Sequence, residues 1–202
     1  MDAQRPEGSP VTGDRKSMVE TTLERETVFE GRFLKVRRDL ARLPDGSTAT
    51  REFVVHPGAA AMVPIGADER ILVERQFRYA MNAIYVEIPA GKIDAGETSL
   101  QTARRELREE TGYEARQWAL LTQVHPAIGF TDEVMDIYLA RDLVLHERAM
   151  DVDEFLEIEW VTLGWLMDEL RAGRLPDVKT QLAVHWLDRL YSGRWSWPAF
   201  AG

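Results

Sequence analysis

The chain has 202 residues, 45% of them apolar, which suits one α/β domain with a small addition and suffices for a buried core. It has no cysteine, so a disulfide framework and a thiolate metal site are both excluded. A net charge of −9 argues against nucleic-acid partners, and the lack of a long apolar run or signal sequence predicts a cytoplasmic protein without a membrane partner.

The N-terminal quarter of the chain predicts a leader followed by a small β unit. Residues 1–20 are rich in Pro, Gly, Ser and charge, which is typical of a flexible leader. Residues 21–56 show strand-like alternation on both sides of the turn sequence PDGST, and predict an antiparallel β subdomain. Because so few strands cannot bury two faces alone, we expect this subdomain to pack on a second subunit.

The segment 57–202 predicts a larger domain of interleaved strands and helices. The apolar stretches AAAMVPIG, RILVERQFRY and IYVEIPAG, the last at residues 84–91, predict three strands before a helical segment. After that segment, ARQWALLTQVHP, EVMDIYLARDL and IEWVTL predict three more strands, and GWLMDELRAGR and DVKTQLAVHWLDRLY predict two amphipathic helices. This order predicts an α/β fold in which helices cover both faces of a mixed sheet.

The helical segment follows a glycine-containing loop within GKIDAGETSLQTARRELREETGY, residues 91–113. Thr98 or Ser99 is suited to cap the start of a helix that continues to residue 111, and Gly112 is suited to end it. On a helical wheel, the core-facing side is a narrow apolar stripe of Leu100, Ala103 and Leu107.

Five carboxylates fall in this loop and helix: Asp94, Glu97, Glu106, Glu109 and Glu110. Glu106 and Glu110 are like charges one turn apart, which destabilises a helix unless a cation neutralises them. A hard divalent ion such as Mg²⁺ would do so, because it prefers oxygen ligands. A solvated helix face with ion pairs such as Arg105–Glu109 is the alternative, and residue spacing leaves both interpretations open.

The same stretch resembles the Nudix box, the signature of hydrolases that cut nucleoside diphosphates linked to another group. Every position of that pattern is matched, by Gly91, Glu97, Arg105, Glu106, Leu107, Glu109, Glu110, Gly112 and Tyr113. The resemblance implies a Nudix α/β/α sandwich and a centre that binds Mg²⁺, with Mn²⁺ as the alternative ion. It implies metal ligation by Glu106 and Glu110, with Glu109 either as a further ligand or as a residue that holds the ligands in place. It also implies that Arg105 is tied to Glu97 or Glu109 and fixes the direction of the ligands.

Two flanking segments are similar to those of ADP-ribose pyrophosphatases within the Nudix group. EIPAGKID leads into the box, and its resemblance implies that the backbone carbonyl of Ala90 is a metal ligand and that Gly91 contacts substrate. HPAIGFTDE carries Pro126, at the position that marks specificity for ADP-ribose-type substrates. Proline that simply ends a strand is the alternative interpretation of Pro126. With the acidic loop described next, the resemblance covers roughly residues 25–185.

The acidic run MDVDEFLEIEWVTL resembles the loop that supplies a late catalytic carboxylate in this subfamily. We place the general base on Glu154, with Asp153 and Glu157 as competitors. A solvated turn is the plain alternative for these acids.

Substrate contacts are expected from strands that lie near the site in the family arrangement. Arg51, Glu52 and Arg78 occupy such strands, and arginine is suited to clamp phosphate with two hydrogen bonds. Structural ion pairs are the alternative for both arginines. Phe29, or Phe33, is expected to stack on the adenine ring.

The function implied by the resemblance is metal-dependent hydrolysis of ADP-ribose to AMP and ribose 5-phosphate. A pyrophosphatase for another nucleotide-sugar, such as GDP-mannose, would use the same metal site with different base and sugar contacts. A non-catalytic sensor that binds ADP-ribose is disfavoured, because such proteins typically lose box carboxylates and this chain retains all of them. Family members are homodimers whose N-terminal strands contribute to the partner's site, and we expect the same here.

Overall fold

The computed structural model describes residues 18–146 and 155–202. Most of the expected leader at residues 1–20 lies outside the described residues. The chain forms two compact units, one that ends at Val55 and one that begins at His56. Within the described ranges, no helix is long and apolar enough to cross a bilayer.

The first unit is a three-stranded antiparallel sheet in the order β1-β2-β3. Its strands are β1 (Thr21–Glu30), β2 (Lys35–Arg42) and β3 (Thr48–Val55). A continuous alternating stretch of sequence is divided between β1 and β2 because a turn intervenes, in which the Gly31 amide donates to the Leu34 carbonyl at 2.8 Å. Every residue of β1 is exposed in this chain.

Seven strands of the second unit form two sheets. They are β4 (Ala59–Pro64), β5 (Ile71–Arg78), β6 (Ala83–Glu87), β7 (Ala90–Lys92), β8 (Tyr113–Val124), β9 (Met135–Leu145) and β10 (Leu156–Val161). One sheet, in the order β7-β4-β9-β8, is mixed, since β4 runs parallel to β9 and antiparallel to β7. The other, β10-β5-β6, is antiparallel. The mixed sheet was predicted, whereas its separation from a second sheet was not.

The segment that reads as one strand at residues 84–91 is divided between the two sheets. β6 ends at Glu87 and β7 begins at Ala90, with Ile88 and Pro89 between them. The prediction of a single strand was therefore wrong. This short crossing carries the chain from the antiparallel sheet into the mixed sheet immediately before the box.

The described part of the second unit also contains the α-helices α1 (Ser99–Thr111), α2 (Leu163–Arg171) and α3 (Val178–Tyr191). Thr98 is the N-cap of α1 and forms a capping box with Gln101, in which each side chain bonds the other's backbone amide. Gly112 ends the helix with a φ of 77°, a left-handed conformation that favours glycine. The predicted helix and both of its caps are confirmed.

Strand β4 is buried on both faces, which explains its run of small and apolar residues. On one face, Ala60 and Met62 pack in a cluster with Leu107 of α1. On the other, Ala61 packs in the larger core, which includes Leu166 of α2 and the buried side of α3. Helices therefore cover both faces of the mixed sheet, as the α/β prediction required.

Candidate active site

The carboxylate of Glu106 lies directly against the backbone of β7. A Cβ atom added to Gly91 would lie 1.9 Å from Cδ of Glu106, far inside van der Waals contact, so glycine alone leaves room for this carboxylate. Ala90, the predicted carbonyl ligand, precedes Gly91 and pairs with Ala61 in the centre of the domain. The fold thus brings the Ala90–Gly91 backbone and Glu106 together.

Arg105 connects three of the box carboxylates. Its Nε and Nη2 donate to the two oxygens of Glu97, each at 3.0 Å. Its Nη1 donates to Glu106 at 2.8 Å and to Glu109 at 2.9 Å. Thr102 also donates its hydroxyl to Glu97, at 2.7 Å. Arg105 is therefore tied to Glu97 and Glu109, the contacts that the resemblance implied, and also to Glu106.

The charge at this site is strongly unbalanced towards the acids. Hydrogen bonds from Arg105, and then from Thr102, lower the pKa of Glu97 to about 2. The hydrogen bond to Glu97, with the charge of Glu106 and the hydrogen bonds to Glu109 and Glu106, raises the pKa of Arg105, so it remains a cation. Asp94 lies 3.6 Å from Arg105, and Glu110, one turn beyond Glu106, is only 3% exposed. A single guanidinium thus contacts four carboxylates.

This donor set fits a hard divalent cation. Within residues 18–146 and 155–202, no group of three or more His, Cys, Asp or Glu side chains is already arranged to hold a metal ion. Arg105 engages oxygens of both Glu106 and Glu109 in this arrangement. Clustered carboxylate oxygens beside a backbone edge that only glycine permits are the kind of ligand that Mg²⁺ prefers.

Arg78, predicted to bind substrate, contacts a buried acid. Its Nε and Nη2 donate to the two oxygens of Glu87, both at 2.8 Å. Glu87 also accepts from Lys179, a buried residue of α3 that donates in addition to Asp177 at 3.1 Å. Sequence reasoning gave no role to Glu87 or Lys179. The only signal for Glu87 was its place at the start of the EIPAGKID segment.

The predicted substrate residues of the first unit take part in contacts within that unit. Arg51 donates to both oxygens of Glu20, at 2.8 and 2.6 Å. Glu52 accepts from Nε of Arg38 at 2.8 Å. The Arg51–Glu20 contact is an ion pair of the kind that the sequence left open as an alternative for Arg51. Phe29 is 54% exposed, and Phe33 is exposed as well.

The remaining predicted residues lie beyond the box. Glu154, the predicted general base, and its competitor Asp153 lie outside the described residues. Glu157 is an exposed residue within β10, paired in register with Arg75 of β5. Pro126 begins a turn that follows β8.

Two family models match the chain in succession. The model described as "NUDIX domain" matches residues 55–181, and the one described as "Nucleoside diphosphate sugar hydrolase N-terminal domain" matches residues 20–54. The chain belongs to the Nudix family. Residues 91–113, which resemble the Nudix box, lie within the range that the family model matches.

Several known Nudix relatives are similar over most of their length. A "Methanol dehydrogenase activator" of Bacillus methanolicus is 40% identical over 174 residues, covering 85% of this chain and 94% of the relative. An "ADP-ribose pyrophosphatase" of Bacillus subtilis (strain 168) is 38% identical with the same coverage. Another "ADP-ribose pyrophosphatase", from Mycobacterium tuberculosis, is 42% identical over 145 residues, covering 71% of this chain and 69% of the relative.

Solved structures share the fold of this Nudix chain. The structure titled "Crystal structure of ADP compounds hydrolase" aligns with a TM-score of 0.77 and 24% identity, covering 89% of this chain and 98% of that one. At this level of identity the likeness establishes the fold alone.

Proposed function

We propose that this Nudix hydrolase cleaves the pyrophosphate bond of ADP-ribose, giving AMP and ribose 5-phosphate. The observation that carries the proposal is the intact box geometry, in which Arg105 aligns Glu106 and Glu109 and Gly91 admits Glu106 to the backbone of β7. The substrate class is supported by relatives at 38% and 42% identity that are named ADP-ribose pyrophosphatases.

Glu106, Glu109, Glu110 and the Ala90 carbonyl would hold Mg²⁺, with Mn²⁺ as the alternative. When bound, the ions neutralise the pyrophosphate oxygens and lower the pKa of water. Arg105, braced by Glu97, keeps the carboxylates aimed at the bound ion. Glu154 accepts the proton of the attacking water as general base.

The other predicted residues bind substrate. Arg78 and Arg51 are suited to bind phosphate oxygens, and each would exchange its present carboxylate partner for the ligand. Glu52, Gly91 and Pro126 contact the remainder of the ligand, and Phe29 offers an exposed ring for adenine.

A nucleotide-sugar panel tests the substrate. Purified protein with Mg²⁺ or Mn²⁺ would be given ADP-ribose, GDP-mannose and other nucleotide-sugars, with products identified by mass spectrometry. We expect ADP-ribose to be turned over best, with AMP and ribose 5-phosphate as products and no activity in EDTA. Preference for GDP-mannose would favour the alternative pyrophosphatase. Tight ADP-ribose binding without turnover would favour a sensor.

Three single variants test the general base. Glu154→Gln, Asp153→Asn and Glu157→Gln each remove one charge at nearly constant volume. We expect only Glu154→Gln to lower kcat strongly, because the base must accept a proton at each turnover. Selective loss in Asp153→Asn or Glu157→Gln would move the role to that residue.

We also propose a cytoplasmic homodimer in which the first unit contacts a second copy. Support comes from the apolar side chains that this unit exposes in the single chain: Leu23, Val28, Phe29, Phe33 and Leu34. Exposed apolar side chains in β1 and in the turn that follows it favour an interaction surface. Sedimentation at micromolar concentration should give the mass of a dimer, and a monomer would contradict the proposal.

A further inference from the structure

The two residues that join β6 to β7 are held from two directions. The Ile88 amide donates to Oγ1 of Thr180 at 2.9 Å, and the Pro89 carbonyl accepts from the Met62 amide at 2.9 Å. Just before them, the Glu87 side chain bonds Lys179. The backbone that enters the box loop is therefore tied both to β4 and to the first turn of α3.

Thr180 makes the most specific of these contacts. Its side chain has no exposed surface. Its hydroxyl accepts from Ile88 and donates to Oδ2 of Asp177 at 2.6 Å, so its orientation is fixed by a bond at each end. Asp177 is itself the N-cap of α3 and accepts from the Thr180 amide at 3.0 Å. The hydroxyl thus joins a rigid helix start to the amide of Ile88.

A single residue, Pro89, separates Ile88 from Ala90 of the candidate active site. Ala90 follows Ile88 by two positions, and the next residue, Gly91, has no space between its backbone and Glu106 for even one more carbon. A shift of the β6–β7 crossing by a few tenths of an ångström would therefore be transmitted directly to the place of Glu106. Catalytic groups tolerate such displacements poorly, since a misplacement of about 1 Å costs on the order of a hundredfold in rate.

We propose that Thr180 is a positioning residue of the hydrolytic centre, whose hydroxyl fixes the Ala90–Gly91 backbone against Glu106 through the Ile88 amide. The proposal rests on the proposed metal-dependent function, and it assigns to the start of α3 a part in metal binding. A helix start that served stability alone would need the Asp177 cap and not a hydroxyl bonded to a different segment.

Paired variants separate positioning from stability. Thr180→Val removes the hydroxyl at constant shape, Thr180→Ser keeps it, and Thr180→Ala is a second deletion. Val184→Ala, a buried change one turn further along the same helix that leaves the Thr180 hydroxyl in place, serves as the control for lost packing. The dissociation constant for Mn²⁺ would be measured without substrate by electron paramagnetic resonance. The kcat and KM for ADP-ribose would be measured with Mg²⁺. All measurements would be made below the temperature at which each variant unfolds.

We expect Thr180→Val and Thr180→Ala to weaken Mn²⁺ binding roughly tenfold and to lower kcat more than they change KM, as for other residues that hold metal ligands in place. Thr180→Ser should stay within about twofold of the wild type, and Val184→Ala should bind Mn²⁺ normally. Wild-type Mn²⁺ binding in Thr180→Val, an equal loss in Val184→Ala, or failure of both deletions to fold would overturn the proposal.

The two proposals fail in different ways. Wild-type protein that binds Mn²⁺ but leaves ADP-ribose intact refutes the proposed substrate, while the metal measurements still decide the role of Thr180. If the wild type hydrolyses ADP-ribose and Thr180→Val binds Mn²⁺ and turns over ADP-ribose as the wild type does, only the positioning role is refuted. Wild-type protein that binds no Mn²⁺ refutes both.

Discussion

The second unit contains two charged clusters that lie at opposite ends of one short stretch of backbone. The outer cluster joins Arg105 to Glu97, Glu106 and Glu109, with acids in excess. The inner cluster joins Glu87 to two cations, Arg78 and Lys179. The first has charge left to neutralise, whereas the second supplies its own counterions.

Burial sharpens this difference. Glu87 is 2% exposed, and burial by itself would raise its pKa, but the hydrogen bonds and charges of Arg78 and Lys179 outweigh that effect and keep the pKa below its usual value. Removing one partner from a buried ion pair destabilises a fold strongly, because it leaves an uncompensated buried charge. A partly exposed group of carboxylates that share one cation is prepared for a further cation. We expect mutations of the outer cluster to lower activity, and mutations of Glu87 or Lys179 in the inner cluster to lower stability.

The largest effect is expected for Glu106→Gln. Removing this ligand charge should lower kcat on the order of a thousandfold, because metal-held charge stabilisation is worth several kcal/mol. The free energy of unfolding should stay within about 0.5 kcal/mol of the wild type, since one of two repelling helix charges is removed. Steady-state kinetics and urea unfolding measure the two quantities. Glu114→Gln, at an exposed ion pair with Arg108, is the matched control and should leave both unchanged.

Gly91→Ala should come next, with a loss of about a hundredfold in kcat/KM. The new Cβ would occupy the place of the Glu106 carboxylate, whose flexible side chain is displaced while the fold survives. Gly164→Ala in α2 meets only an ordinary contact at 3.8 Å and is the control. If Gly91→Ala kept full activity, the close approach of Glu106 to β7 would not be the active arrangement.

Lys179→Met should affect stability more than rate. It leaves Glu87 buried with Arg78 as its remaining partner, which we expect to cost on the order of 3 kcal/mol in the free energy of unfolding. At a temperature where the variant is folded, kcat should fall by no more than about tenfold. Chemical denaturation measures the free energy of unfolding, and kinetics on the same preparation measure kcat. A variant that is as stable as the wild type but inactive would contradict the different roles of the two clusters.

The smallest effect is a pH dependence at Glu97. Its pKa is lowered from 4.5 to about 2, so its bonds to Arg105 stabilise the folded chain above pH 4.5 and that contribution is lost as the pH falls towards 2. The difference in Tm between wild type and Glu97→Gln should therefore be largest above pH 4.5 and shrink below it. A gap that is constant from pH 7 to pH 3 would show that the charge of Glu97 does not matter.

Local features of the site were predictable and long-range ones were not. The helix, its Thr98 cap and its Gly112 end follow from residues within 15 positions of one another, and the structure confirms them. The division of residues 84–91 was missed because an apolar run does not reveal a change of sheet at Pro89. Lys179 and Thr180 were missed because their partners lie 92 residues earlier in the chain. The residues at the start of a helix do not reveal a hydrogen bond to so distant a segment.

The bond between Thr180 and Ile88 has a consequence for anyone who wishes to transplant this chemistry. Residues 91–113 carry nearly all the acids of the site, so this segment is the obvious one to transfer to another protein. Their geometry nevertheless depends on a hydroxyl from the last helix of the domain. A graft of this segment onto another protein, or a fragment that ends before α3, would contain the carboxylates but would lack the Thr180 hydroxyl that fixes the backbone beside them.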